Sequence, residues 1–227
     1  MITSSVITSL AVYLSRIAED MIIWNTPQFN YIKAPTTHLA TSSMMPHKKN
    51  LVTMEVIRAW GGEAIGHLTA ILSIIKSLPS GYNLDLQEVT KHSLRILQKT
   101  IEALTVFRDF IEKMEFNPET ISEDMSKYLL TITDLAEALA LKLGKPYREM
   151  HRELAQVIKD LGEGDLSKIC EEISRRLGID VKELYDIVDP KLVIEAKHHP
   201  GSPNPKMVLE YINEAEVKLS KDYDAFL

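Results

Sequence analysis

Residues 52–77 read VTMEVIRAWGGEAIGHLTAILSIIKS, and apolar or small residues recur in them at positions 54, 57, 61, 64, 65, 68, 72 and 75. Spacings of three and four residues place side chains on one face of a helix, so this stretch predicts one long helix. Gly61, Gly62 and Gly66 interrupt it. A glycine inside a helix costs up to about 1 kcal/mol relative to alanine. We therefore expect a neighbouring helix to approach closely at these glycines.

Two more long helices are predicted on either side of this one. Residues 4–24 carry an apolar stripe at positions 6, 10, 13, 14, 17 and 21, and residues 85–114 carry another. The residues expected on the buried face of the last helix are Leu94, Leu97, Ile101, Leu104 and Ile111. Three long amphipathic helices suit an antiparallel bundle. Residues 1–116 are therefore predicted to form part of a long-helix bundle.

Shorter helices with readable ends follow from Asn117-Pro118 onwards. Asparagine, aspartate and proline favour helix starts, and glycine favours helix ends. The predicted helices run from Thr133 or Asp134 to Gly144, from Pro146 to about Gly162, from Asp165 to Gly178 and from Asn204 to about Lys221, with a short one opened by a capping box of Asp180 and Glu183. No strand-like alternation appears. The fold class predicted is all-α, with residues 117–227 as a small helical C-terminal domain.

Composition narrows the class of protein. The 227 residues include 45% hydrophobic and 26% charged ones, with a formal net charge of −6, which argues against a nucleic-acid surface. The single cysteine, Cys170, excludes an internal disulfide and is expected to be a buried packing thiol in a reducing compartment. No stretch approaches the roughly 20 apolar residues that a membrane span needs. We expect a cytoplasmic protein that binds neither nucleic acid nor membrane.

The segment of residues 25–50 has no periodicity, and three prolines punctuate it. Irregular segments of this length are often functional. It ends in Ser42-Ser43-Met44-Met45-Pro46-His47-Lys48-Lys49-Asn50, just before the helix predicted at 52, where backbone N–H groups favour anions. Serine offers a hydroxyl, Lys48 a compact positive charge, and Asn50 both a donor and an acceptor. On these grounds alone a polar loop with a solvated lysine pair remains an alternative.

This segment resembles the signature of the fumarase/aspartase superfamily, usually written G-S-S-x-M-P-x-K-x-N-P. The serines, Met45, Pro46, Lys48 and Asn50 stand at the expected spacings, whereas Thr41 replaces the leading glycine and Leu51 the closing proline. Glu55 and Arg58 follow in the next helix, as in argininosuccinate lyases.

A second motif narrows the resemblance. Residues 78–88, LPSGYNLDLQE, look like the argininosuccinate lyase motif L-P-x-x-Y-N-x-D-x-Q-E, a form that fumarases and adenylosuccinate lyases lack. The resemblance implies that Tyr82 and Gln87 hold the substrate. A lysine that many members carry three residues after the glutamine is Thr90 here. Further likenesses at residues 133–151 and 189–203 are structural landmarks, and the pair His198-His199 lacks a third ligand at metal spacing, so no metal site is predicted.

The chemistry that the resemblance implies is a β-elimination of argininosuccinate to arginine and fumarate, without a cofactor. Ser42 would act as the base, and Lys48 and Asn50 would bind carboxylate oxygens, with Ser43 beside them on the substrate. Glu55 would orient a histidine supplied from elsewhere. A mobile serine segment would expel water as it closes. Family active sites are assembled from three subunits of a homotetramer, so we expect a homo-oligomer.

The family's acid histidine lies in a motif of the kind G-x-T-H-x-Q-x-A-Q-P, which does not occur in this sequence. Met1 also falls inside what would be a bundle helix. We therefore expect the chain alone to be inactive or nearly so and to need the absent N-terminal half. It could be one piece of a split enzyme that acts with a complementary N-terminal chain, an expressed fragment, or a remnant. Two alternatives stay open: a noncatalytic crystallin-like or remnant helical oligomer, and another lyase of the superfamily such as adenylosuccinate lyase.

Overall fold

The structure is a computed structural model, and it describes residues 1–41, 44–45, 49–162 and 165–225. The chain divides into two compact units, Met1–Ile121 and Ser122–Leu227. Each unit has its own hydrophobic core.

Three long helices build the first unit: α1 (Ile2–Trp24), α2 (Val52–Ile75) and α3 (Leu86–Lys113). Their bounds lie within two residues of the predicted ones, and the predicted all-α class is confirmed. Small buried residues on α1 and α2, among them Ala11, Ala18 and Ala64, let these helices approach closely. Larger core residues, such as Met54 and Phe110, fill the space towards α3.

Helices α1 and α2 approach closely at Gly61. A Cβ atom placed on Gly61 would lie 2.7 Å from Cβ and 2.8 Å from Oγ of Ser15. The expectation of close helix packing is therefore confirmed at this glycine. It is wrong at Gly62 and Gly66, where a Cβ atom would meet no described atom within 4 Å.

The face of α3 that we expected to be buried is exposed in this chain. The side chains of Leu94, Leu97, Ile101, Leu104 and Ile111 are all at least 39% exposed. The buried positions are instead Ile96, Thr100, Ala103 and Phe110. The helix thus carries two adjacent stripes with apolar residues, and the core takes the one that includes the small residues Thr100 and Ala103. The expectation was wrong because it was based on the size of the apolar side chains, and the larger number of bulky ones lies on the outer stripe.

Two small antiparallel strand pairs interrupt the helical architecture. Strands β1 (Ile32–Lys33) and β4 (Glu115–Phe116) pair, as do β2 (Ala40–Thr41) and β3 (Lys49–Asn50). A 3₁₀ turn, Thr36–His38, precedes β2. The sequence predicted no strand here, because two-residue strands are too short to show an alternating pattern.

Seven shorter helices follow within the described residues. Their bounds are α4 (Pro118–Lys127), α5 (Ile132–Leu143), α6 (Tyr147–Leu161), α7 (Leu166–Leu177), α8 (Val181–Val188), α9 (Pro190–Glu195) and α10 (Pro205–Asp224). The Asp165 carboxylate accepts the Ser167 N–H at 3.0 Å, and the Asp180 carboxylate accepts the Lys182 N–H at 3.0 Å. These predicted N-caps are confirmed, whereas Glu183 pairs with Lys142 rather than completing a capping box. Helix α9 was not predicted, because a run of six residues is too short to show a helical period.

Cys170 lies in the core of the second unit with no exposed surface. Burial, and secondly the charge of Glu171, raises the pKa of its thiol to about 11. The prediction of a buried packing thiol is confirmed. Across the described parts of the chain, none of the helices is both long enough and apolar enough to span a bilayer.

Candidate active site

A cavity of about 780 Å³ lies in the first unit, beside the start of α2. It is lined by the C-terminal end of α1, the segment that follows it, strand β3 and the first turn of α2. Asn50 and Glu55, two of the predicted site residues, both line it. The structure therefore brings together a side-chain amide and a carboxylate that the sequence placed five residues apart.

The local fold explains how these two side chains reach the cavity. Asn50 ends β3, opposite Ala40 of β2, so the strand pair holds its backbone. Leu51 follows as a buried residue at the helix start, and Glu55 lies in the first turn of α2. A carboxylate in a first turn is stabilised by the free N–H groups of the helix end.

The rest of the cavity wall mixes apolar residues with cationic and amide side chains that could bind an anion. Lys33 and Lys49 line it, together with the side chains of Asn25 and Gln28. The Asn25 side-chain oxygen also accepts the Ala34 N–H at 3.2 Å, which closes the segment into a compact loop. Ammonium and amide groups are donors that bind carboxylates.

Sequence reasoning missed these wall residues. Their only signal was their place in the irregular segment 25–50, since residues without periodicity give no indication of which side chains converge.

The predicted serine base and its neighbours lie outside the described residues. This applies to Ser42, Ser43 and Lys48. The structure does describe both ends of their segment, where Thr41 of β2 is paired with Lys49 of β3. The two ends are therefore held about 5 Å apart, next to the cavity that Lys49 lines.

Tyr82 and Gln87 come together at the other end of α2. The Gln87 side-chain amide donates a hydrogen bond to the Tyr82 hydroxyl at 3.1 Å, and both side chains are exposed. The Asn83 amide closes the turn by donating to the Pro79 carbonyl at 3.1 Å. The second motif thus forms a compact turn at the start of α3.

The two groups of predicted site residues are far apart in one chain. Asn50 and Glu55 lie at the start of α2, and Tyr82 lies between its end and the start of α3. The 24 residues of α2 span about 35 Å at a rise of 1.5 Å per residue. Among the lining residues that the structure describes, the cavity includes neither Tyr82 nor Gln87.

An ion pair links α2, the helix that carries Glu55, to α1. A guanidinium nitrogen of Arg58 lies 2.5 Å from a carboxylate oxygen of Glu19. Both side chains are nearly half exposed, so the pair contributes little to stability. Within the described ranges, no three His, Cys, Asp or Glu side chains cluster closely enough to hold a metal ion.

Comparison with known proteins shows which lyases the chain is similar to. A family described as "Lyase" matches residues 1–66. The argininosuccinate lyase of Pyrococcus furiosus is 48% identical over 219 residues, which are 96% of this chain and 45% of that protein. Over almost its whole length the chain is similar to argininosuccinate lyases. A second relative of that name, from Sulfolobus acidocaldarius, is 36% identical over 98% of this chain and 44% of its own length. The chain spans about half the length of the curated relatives it matches.

Solved structures agree with this family on the fold. EDDS lyase in complex with formate superposes with a TM-score of 0.81 at 24% identity, over 97% of this chain and 46% of the other. The class II fumarase of Schistosoma mansoni superposes with a TM-score of 0.68 at 18% identity, over 82% of this chain and 37% of the other. The resemblance to argininosuccinate lyases expected from the two motifs is confirmed by the curated relatives, and the solved structures show the same fold.

Proposed function

We propose that this chain is the serine-bearing part of an argininosuccinate lyase, which splits argininosuccinate into arginine and fumarate without a cofactor. The observation that carries the proposal is the 48% identity to the Pyrococcus furiosus enzyme over 96% of the chain. The motif at residues 78–88 favours this substrate over adenylosuccinate.

The proposed chemistry begins with removal of a proton from the carbon next to a carboxylate. Ser42 is the base, and the negative charge of the resulting aci-carboxylate must be stabilised. Lys48 and Asn50 bind its oxygens, Lys48 also favours the serine oxyanion, and Ser43 contacts the substrate. The two lysines that line the cavity with Asn50, Lys33 and Lys49, support this assignment.

Protonation of the leaving nitrogen requires an acid. In the family this acid is a histidine in a motif that does not occur in this sequence. Glu55 orients this histidine, which comes from a complementary N-terminal chain. Fixing the tautomer of an imidazole in this way is a common role for a carboxylate.

The separation along α2 argues for a site shared between copies. Tyr82 and Gln87 of one copy hold the substrate against Asn50 and Glu55 of another, because in one chain the length of α2, about 35 Å, lies between the two groups. The exposed apolar stripes of α1 and α3 supply the surface for assembly. The proposed assembly is a homotetramer in the cytoplasm.

Reconstitution tests the proposal. The chain is mixed with the part of the Pyrococcus furiosus enzyme that it does not match, and fumarate release from argininosuccinate is followed by absorbance. We expect activity from the mixture and a loss on the order of 10²–10⁴-fold with Ser42→Ala, since a catalytic base contributes that much. Ser220→Ala, an exposed position on α10, is the matched control.

The main competing function is a noncatalytic helical assembly. The departure at Thr90 and the exposed apolar stripes are the observations that favour it. A mixture that forms a stable oligomer but releases no fumarate would support this alternative and reject the enzyme proposal.

A further inference from the structure

His38 is a buried histidine with both ring nitrogens engaged. Its side chain is 3% exposed at the end of the 3₁₀ turn. Its Nδ1 lies 2.8 Å from Oγ1 of Thr53, and its Nε2 lies 3.0 Å from Oδ2 of Asp109. The ring also packs edge-on against Phe110, with 5.3 Å between ring centroids. One side chain thus ties the turn to the first turn of α2 and to α3.

The two hydrogen-bond partners of His38 indicate which ring nitrogen carries the proton. An ionised carboxylate only accepts hydrogen bonds, so Nε2–H of His38 donates to Asp109, and Nδ1 accepts from the Thr53 hydroxyl. Lys113 lies 2.5 Å from Oδ1 of Asp109. Hydrogen bonds from Lys113 and, secondly, from His38 hold the pKa of Asp109 below its usual value. The carboxylate therefore stays an acceptor.

The chain positions of these residues enclose Asn50. His38 lies two residues before Ala40, which pairs with Asn50 across the strands. Thr53 lies three residues after Asn50 and two before Glu55. The backbone on either side of Asn50 is therefore fixed: the residue itself pairs with Ala40, and Thr53, three residues later, contacts His38.

The contact lies behind the cavity wall rather than in it. Thr53 lines a separate cavity of about 240 Å³ next to Trp60, whereas Glu55 lines the larger one. Residues two apart on a helix point about 200° from each other. Among the described residues that line the larger cavity, neither His38 nor Thr53 is present.

We propose that His38, through Thr53 and Asp109, is a positioning residue that fixes Asn50 and Glu55 in the geometry that the substrate needs. The inference rests on the proposed function for its catalytic consequence. It adds that this geometry depends on hydrogen bonds that touch no substrate.

The kinetic test deletes one hydroxyl. Thr53→Val is nearly isosteric and removes the contact, Thr53→Ser keeps the hydroxyl, and Thr69→Val is the matched control, since the Thr69 hydroxyl bonds only to its own helix at the Ile65 carbonyl. In the reconstituted mixture we expect Thr53→Val to lower kcat at least tenfold while KM changes less than threefold. A displacement of about 1 Å can cost 10²-fold in rate. Thr53→Ser should restore kcat to within about twofold.

Amide hydrogen exchange gives a second measurement that needs no activity. Thr53→Val should raise exchange at residues 40–41 and 49–50 about tenfold, and should leave the buried middle of α1 unchanged. Thr69→Val should leave both regions as in the wild type. A wild-type kcat in Thr53→Val, a failure of Thr53→Ser to rescue, or unchanged exchange at the strands would overturn the proposal. If the wild-type mixture is inactive, the proposed function fails, and exchange alone decides whether His38 and Thr53 hold Asn50.

Discussion

At the scale of single residues, Asn50 is the described side chain that the proposed mechanism uses most directly. It lines the cavity of about 780 Å³, and the strand pair holds its backbone. A hydrogen bond to a charged group contributes about 1.5–3 kcal/mol. We therefore expect Asn50→Ala to lower kcat/KM by roughly 10- to 150-fold in the reconstituted mixture. Asn213→Ala on exposed α10 should leave it unchanged. Equal activities of the two variants would remove Asn50 from the site.

Cys170 gives a prediction that is independent of function. Burial raises its pKa to about 11, so the folded protein keeps the thiol protonated at pH 8. Iodoacetamide should not label the native chain at pH 8 but should label it fully in urea. The folded-state pKa is higher than the unfolded one, so stability falls as the pH rises through about 9 towards 11. Rapid native labelling would contradict the buried placement.

At the scale of helices, Gly61 and Gly62 provide a matched pair. Gly61→Ala forces a Cβ atom against Ser15, and overpacking of this kind costs about 1–3 kcal/mol. Gly62→Ala meets no described atom and gains helix propensity, so it should stabilise by up to about 1 kcal/mol. Both tryptophans, Trp24 and Trp60, lie in the first unit, so urea unfolding followed by tryptophan fluorescence measures this unit. Equal effects of the two substitutions would argue against the close approach of α1 and α2.

The facing histidines of α2 and α3 predict a pH dependence. The Nδ1 atoms of His67 and His92 lie 2.9 Å apart, so one ring must donate and the other accept. Burial, and then the charges of His92 and Arg95, lower the pKa of His67. The unfolded chain therefore takes up protons first on acidification, and stability present above about pH 6.5 is lost as the pH falls further. Urea unfolding followed by tryptophan fluorescence should show that the free energy of unfolding falls less between pH 7.5 and pH 5.5 in His67→Gln than in wild type. His151→Gln should behave as wild type.

Helix bounds could be predicted from the sequence, but helix faces could not. The apolar period fixed α1, α2 and α3 to within two residues, since period and caps are local properties. The buried stripe of α3 was wrong because Thr100 and Ala103 give a weak apolar signal, although their small size suits close packing. Only the shape of the neighbouring helices decides between two adjacent stripes.

At the scale of the whole molecule, the site was predictable only as far as motifs extend. Asn50 and Glu55 were found because they belong to a contiguous pattern. Lys33 and His38 were not, because their roles depend on how the segment between α1 and α2 folds back. The distance along α2 between Asn50 and Tyr82 also follows from tertiary structure and not from either motif. In the proposed mechanism, this distance is the reason that several copies must assemble.

Assembly itself is the last prediction. The outer stripe of α3 includes Leu97 and Ile101, which are 41% and 55% exposed. Burying a side chain of this size contributes about 1.5–3 kcal/mol, so placing two glutamates there should weaken association by at least 100-fold. We expect sedimentation velocity at micromolar concentration to give an oligomer for the wild type and a 25.7 kDa monomer for the Leu97→Glu/Ile101→Glu variant, with unchanged helical circular dichroism. Leu141→Glu, at an 85% exposed position of the second unit, is the control and should remain oligomeric. A wild type that sediments as a monomer would show that the outer stripe does not mediate self-association, and Tyr82 and Asn50 could then not meet around one substrate.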